Sequence, residues 1–170
     1  EIVNVCSSVT SGYAAPANYN CPGQVVIAGE KDAVEEAIEL ANAAGARRAI
    51  SLAVSAPSHC RLMEPASKKL AELLNSFEMH SAKIPIVNNA DAAFLSDVDA
   101  IKDSLVRQLN APLLWEDSVK NMVEKGVDTI VEVGPGKVLS GLIKRIDTGL
   151  KILHVEDTKS LEEALKVLLG

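Results

Sequence analysis

The sequence predicts an α/β fold, and three observations carry that expectation. Short β-branched runs alternate with amphipathic helical segments, the alternation continues to the end of the chain, and one strand runs directly into a glycine-rich turn that opens a helix. The first 57 residues add a variation. Their order is strand, strand, helix, strand, which reads as a ferredoxin-like unit without its opening strand and part of its first helix.

Residues 2–9 leave two readings open. Ile2, Val3 and Val5 favour a strand by propensity, whereas Ile2, Cys6 and Val9 also fit one face of a helix tail ending at Gly12. Tyr13 to Asn20 reads as a strand, Cys21-Pro22-Gly23 as a turn and Gln24 to Ala28 as a second strand, which together make a hairpin. Lys31 to Ala44 carries Val34, Ala37, Ile38 and Ala41 at helical spacing and stops at Gly45. Ala49 to Val54 then alternates apolar and small residues as a half-buried strand would.

Beyond this point the helices dominate. Arg61 to Phe77 places Leu62, Ala66, Leu70, Leu73, Leu74 and Phe77 on one face, with Pro65 tolerable in the first turn. A strand at Ile84 to Asn88 precedes helices at Asp97 to Leu109 and Trp115 to Lys125, the second closed by Gly126. Thr129 to Val133 is a strand that meets Gly134-Pro135-Gly136 and continues as a helix from Val138 to Ile146. A last strand, Lys151 to Val155, leads to a helix at Ser160 to Leu169, with Ser160 and Glu163 spaced as a capping box. The apolar strands at Ile84 to Asn88 and Thr129 to Val133 call for parallel neighbours and covering helices. The chain shows no repeat or linker, and its likeliest break, Ser55 to Ser58, divides it into residues 1–57 and 58–170.

Bulk properties exclude several function classes. A net charge of −6 argues against nonspecific nucleic-acid binding, which needs a concentrated basic surface. No apolar run approaches the roughly 20 residues of a membrane span, and no basic-then-apolar start marks a signal peptide, so the expected location is cytoplasmic. Cys6, Cys21 and Cys60 are odd in number and lack metal-ligand spacing, which makes reduced, buried thiols the default.

The most informative stretch is Val54-Ser55-Ala56-Pro57-Ser58-His59-Cys60. Pro57 keeps Ala56 out of helical geometry, so His59 stands at a break between a strand-like run and a helix. A histidine at such a break can face a cleft and relay protons to or from a hydroxyl nucleophile. Cys60 is no partner for it, because adjacent side chains diverge. Gly134-Pro135-Gly136-Lys137 offers helix N-terminal amides to an anion but is not a Walker A loop, and a tight structural turn is the competing reading. Asn18, Asn20, Gln24, Asn88 and Asn89 suit a cleft or ordinary turns. Lys144, Arg145 and Lys151 make a modest basic cluster, and His80 and His154 have no companion at metal-ligand spacing.

Four blocks in order extend this reading: Asn18 to Gly29, Val54 to Cys60, Leu105-Val106-Arg107-Gln108-Leu109, and Glu132 to Leu139. Together they resemble the malonyl-CoA:acyl carrier protein transacylase family across essentially the whole chain. The resemblance implies a ferredoxin-like subdomain beside a hydrolase-like α/β subdomain with the active site between them. It implies that His59 is the base for a serine in ping-pong acyl transfer, that the backbone carbonyl at Gln108 orients His59, and that Asn20 lies near the substrate cleft. Gly134 and Gly136 match a structural turn of the family. Malonyl-CoA and acyl carrier protein are the implied partners, the coenzyme A thioester being substrate and no cofactor being needed.

One departure limits the assignment. The family's serine sits in a Gly-His-Ser-x-Gly elbow, and no Gly-x-Ser-x-Gly occurs in this sequence. The family's N-terminal Gly-Gln-Gly-x-Gln loop and its carboxylate-binding arginine have no counterpart either. The resemblance therefore implies the C-terminal portion of the enzyme, inactive alone and partnered by the missing N-terminal part. An acyl-thioester hydrolase, or a nonenzymatic acyl-carrier-binding or structural fragment, are the rival readings.

Overall fold

The computed structural model describes residues 1–170. In chain order its elements are α1 (Ile2–Ser7), β1 (Ala14–Cys21), β2 (Gln24–Gly29), α2 (Lys31–Ala43), a 3-10 turn (Arg61–Met63), α3 (Glu64–Ser76), β3 (Ile86–Val87), β4 (Phe94–Leu95), α4 (Val98–Asn110), β5 (Leu113–Leu114), α5 (Trp115–Glu124), β6 (Thr129–Val133), α6 (Val138–Ile146), β7 (Lys151–Val155) and α7 (Thr158–Leu169). The strands form three small sheets, ordered β2-β1-β5, β3-β4 and β6-β7. This is the mixed α/β architecture that the alternating pattern calls for.

The N-terminal alternative resolves as a helix. Burial outweighs β propensity there, because the helix sets Val5 into a cluster with Ala14, Ala33, Ala37 and Ala41, flanked by Ile2, Val9 and Ile27. The three alanines of α2 share one face, and their small side chains let the helix lie close against the hairpin. At Gly29 a side chain has no room: a Cβ would stand 2.0 Å from the Tyr13 carbonyl oxygen. The loop before the hairpin is pinned by Glu36, whose carboxylate accepts hydrogen bonds from the N–H groups of Thr10 and Ser11 and from the Thr10 hydroxyl.

Three sequence expectations are corrected and one strand is added. Residues 49–54 form no strand, and Ile50, Leu52 and Val54 stand 52%, 53% and 69% exposed. Alternation marks a face, but a strand also needs a ladder partner, and β1 already has β2 and β5 on its two sides. The strand expected at 84–88 shrinks to Ile86–Val87 and pairs antiparallel with β4, because the chain turns back at once instead of crossing over a helix. β5 is an addition: two leucines are too short to show periodicity, yet they pair in parallel with Asn18 and Tyr19. The capping box of α7 is made by Asp157 and Ser160, so Ser160 is the third helical residue and not the cap.

The expected parallel neighbour of β6 is present as β7, in register from Thr129↔Lys151 to Val133↔Val155. Because β5 joins β1, one sheet draws on residues from both sides of position 57. A second tie crosses the same boundary, since the Arg145 guanidinium donates to Gln24 Oε1 and to the Pro22 carbonyl at the hairpin turn. Only 19 of 170 residues are buried, so much of the apolar content faces outward, as at Ile84, Val133 and Val138. No helix is long and apolar enough to cross a membrane.

Glu36 gives the fold a pH signature. Hydrogen bonds from Ser11 and then Thr10 outweigh the cost of burial and lower its pKa from 4.5 to about 2. A depressed folded value means that the stabilisation is fully present above 4.5 and is lost as pH falls towards 2. Glu36→Gln is expected to lower the thermal midpoint at neutral pH and to converge with the parent chain in strong acid. Equal midpoints at pH 7 would remove Glu36 from this role.

Candidate active site

His59 is held by its own backbone as much as by its neighbours. Its φ of 60° lies in the left-handed region, which histidine enters more readily than bulkier or β-branched residues but still at a cost of about 1–3 kcal/mol. Pro57 upstream and the 3-10 turn downstream leave room for this reversal, and the Cys60 thiol, buried beneath it, donates to the Pro57 carbonyl at 3.2 Å. Arg61 then lays its guanidinium 3.8 Å from the centre of the Tyr13 ring, tying the turn to the start of the hairpin.

The reversed turn places His59 against the C-terminal end of α4. A helix leaves its last four carbonyls without intrahelical partners, and His59 takes two of them. Its N–H donates to the Leu109 carbonyl at 3.1 Å, and its ring Nδ1 lies 2.7 Å from the Gln108 carbonyl oxygen. Ser67 of α3 adds a hydroxyl bond to the Val106 carbonyl at 2.9 Å. A carbonyl oxygen can only accept, so Nδ1 carries the hydrogen and the neutral ring keeps its lone pair on Nε2. The half-buried ring thus has one nitrogen committed and one free to take a proton.

The other sequence candidates separate. Asn18 and Asn20 lie half-buried on β1 beside β5, and no side-chain hydrogen bond joins either to His59 or Gln108. Asn88 is turn chemistry: its Nδ2 donates to Asp91 and its Oδ1 accepts the Ala93 N–H. The Asn89 carbonyl accepts the Leu114 N–H. Gln24 is occupied by Arg145 and by the buried Cys21 thiol, which burial pushes up, the Arg145 charge opposing. With Arg145 turned to the hairpin and Lys151 Nζ against the Val167 carbonyl, the expected basic cluster is dispersed. His80 is exposed, and His154 Nε2 lies 3.0 Å from the Gly134 carbonyl.

The glycine turn holds no vacant anion cradle. Glu132 reaches from β6 across the turn and accepts the Leu139 N–H at 3.0 Å, the Ser140 N–H at 2.8 Å and the Ser140 hydroxyl. The first-turn amides of α6 are therefore met by the chain's own carboxylate, and Glu156 takes the Gly136 N–H at 3.1 Å. Sequence reasoning missed Glu132, because a cap seven residues from its target leaves no local signature. The available signal was a lone carboxylate in an otherwise apolar strand ending at a helix N-terminus.

Burial pushes the Glu132 carboxyl up, but the bonds from Ser140 and Leu139, with His154 nearby, together bring it below its ordinary value. Its capping is accordingly present above the unfolded carboxylate value and lost as pH falls through the lowered one. Glu132→Ala is expected to cost about 1 kcal/mol at neutral pH by chemical denaturation. A change within error would show that the amides find equivalent partners in water.

Comparison with known proteins shows what the chain is similar to. The family model described as "Acyl transferase domain" matches residues 8–162. The malonyl CoA-acyl carrier protein transacylase of Escherichia coli (strain K12) is 46% identical over 168 residues, covering 98% of this chain and 54% of that protein. A solved acyl-carrier-protein S-malonyltransferase from Burkholderia pseudomallei superposes with a TM-score of 0.94 at 48% identity, over 97% of this chain and 54% of the other. A malonyl-transacylase solved in complex with a type II PKS acyl-carrier protein gives the same TM-score and identity over 98% of this chain and 54% of its own. The chain spans about half the length of the curated relatives it matches.

Proposed function

The chain belongs to the acyl transferase family, among the malonyl CoA-acyl carrier protein transacylases, and on that premise we propose that it supplies the catalytic base for malonyl transfer from coenzyme A to acyl carrier protein. The observation that carries the proposal is the His59 ring, with Nδ1–H spent on the Gln108 carbonyl and Nε2 unspent. A base needs a fixed orientation and a free lone pair, and this arrangement provides both.

In this reading a serine hydroxyl from outside these 170 residues attacks the malonyl thioester carbonyl while His59 Nε2 takes its proton. The tetrahedral intermediate collapses with loss of the C–S bond, and the proton passes from His59 to the departing coenzyme A sulfur. In the second half His59 takes the proton of the acyl carrier protein thiol as its sulfur attacks the acyl ester. The intermediate collapses with loss of the serine C–O bond, and His59 passes that proton to the departing serine oxygen, so each half-reaction balances. Gln108 acts through its main chain only, orienting the ring that carries the proton between the two transfers. Asn20 is assigned to the rim of the malonyl site by family resemblance alone.

The nucleophile has to come from elsewhere because no serine here stands in an elbow sequence. The outward apolar residues Ile50, Leu52, Val54, Ile84 and Val133, each more than half exposed, support a docked complement that would cover them. The family resemblance supports reading residues 1–57 as an incomplete ferredoxin-like part and residues 58–170 as an incomplete hydrolase-like part. For the acyl carrier protein, exposed Lys137 and Lys144, which make no side-chain hydrogen bond or ion pair, are candidates to meet a carrier of acidic surface.

The test compares variants in the full protein that carries this chain. His59→Ala is expected to slow malonyl loading by about 10²- to 10⁴-fold with the fold intact, and Gln108→Ala to be mild because the main-chain carbonyl remains. The 170-residue chain alone is expected to stay unloaded by intact mass. Near-normal turnover of His59→Ala, or a malonyl group found covalently on the isolated chain, would overturn the proposal.

A further inference from the structure

The Gln108 carbonyl belongs to a helix end that is gripped by more than His59. The next residue back, Arg107, donates Nε to Asp103 Oδ2 at 2.7 Å, one turn earlier on α4. Its two terminal nitrogens donate to the two oxygens of Asp91 at 2.5 and 2.7 Å, a two-pronged pairing that fixes orientation as well as distance. Asp91 in turn accepts from Nδ2 of the buried Asn88 at 2.8 Å.

Asp91 sits on a loop that is itself tied down. Asn88 Oδ1 accepts the Ala93 N–H at 2.9 Å, and the Asn88 N–H and the Ala93 carbonyl pair at 3.0 Å. Ala92, with φ 54°, turns its carbonyl to Asn121 Nδ2 at 2.9 Å on α5. Leu114 of β5 binds the Asn89 carbonyl at 2.7 Å. Residues 88–93 therefore form a closed, strained turn braced by α5 and β5, and Asp91 is its only charged side chain. That charge is spent on the residue next to Gln108.

We infer that Asp91 and Arg107 are positioning residues for the His59–Gln108 pair, their two-pronged ion pair holding the last turn of α4 so that the Gln108 carbonyl stays in line with His59 Nδ1. An ion pair this exposed adds little stability, both side chains being about 40% accessible. Its use is directional. The hydrogen bond from Arg107 is the largest influence on Asp91 and holds its carboxyl below the usual range, so the pair persists across neutral pH. The consequence for catalysis rests on the reading of His59 as base, whereas the consequence for ring geometry does not.

The test uses Asp91→Asn, which keeps shape but removes the second acceptor and the charge, together with Asp91→Glu and Arg107→Lys, in the full protein. Two quantities are read: malonyl loading, and the NMR signal of the His59 Nδ1 proton with its exchange rate with water. Asp91→Asn and Arg107→Lys are expected to lower kcat on the order of tenfold with KM little changed, and to speed exchange of the ring proton. Asp91→Glu is expected to restore both, since it can still receive both prongs. Lys68→Gln, which removes the exposed pair with Glu64 on α3, serves as the control and is expected to alter neither. A ring proton and a kcat unmoved in both Asp91→Asn and Arg107→Lys would overturn the inference. So would loss of kcat with an unmoved ring proton, because the pair would then act by another route. A wild-type protein that loads no malonyl, but whose ring proton responds as stated, would leave the positioning role standing and remove the proposed function.

Discussion

The hydrogen bond from His59 Nδ1–H to the Gln108 carbonyl joins two pieces of chain 49 residues apart, and several features of the structure converge on it. The reversed backbone at His59 brings ring and main chain to the same helix end. The helix end can receive them because its last carbonyls have no partners of their own. Ser67 from α3 and the Asp91–Arg107 pair from the 88–93 turn hold that helix end in place. The strain at His59 is offset by what the turn gains: the N–H and the ring of one residue each satisfy a carbonyl that would otherwise face water.

The same economy recurs elsewhere in the chain. Glu36 closes the loop before the hairpin, Glu132 caps α6 from a neighbouring strand and Asp157 caps α7, so acidic side chains repeatedly answer free backbone N–H groups. A net charge of −6 thus includes carboxylates spent inside the fold and not only on solvent. The thinly buried core is the counterpart of this polar bracing. Many large apolar side chains stand outside the core, among them Ile84, Val133 and Val138.

Much of this was legible in residue order, for identifiable reasons. The hairpin follows from Pro22-Gly23 ahead of the β-branched run Val25-Val26-Ile27, α4 from Asp97 ahead of Val98, Ile101 and Leu105, and the β6-turn-α6 unit from Gly134 and Gly136. Where the pattern misled, the cause was pairing. Residues 49–54 alternate correctly yet lack a ladder partner, and β5 owes its existence to Asn18 and Tyr19 far upstream, not to its own two leucines. Site legibility divides the same way. His59 was marked by the Pro57 break, but its link to Gln108 came from family resemblance, since no spacing rule connects residues 49 apart. Asp91 carried no sequence signal because it acts on a charge that only the fold brings near, and Glu132 carried only that of a lone carboxylate in a strand leading to a helix.

The most direct test is a measurement of which His59 ring nitrogen holds the hydrogen. Nitrogen-15 NMR of histidine-labelled protein, at a pH where the ring is neutral, distinguishes a protonated from an unprotonated ring nitrogen and detects exchange between the two forms. The expected result is a single tautomer with hydrogen on Nδ1 and a free Nε2, collapsing towards a mixture when the end of α4 is loosened. Hydrogen on Nε2 in the intact protein, or rapid averaging between the nitrogens, would contradict the claim that the Gln108 carbonyl fixes His59 as a base.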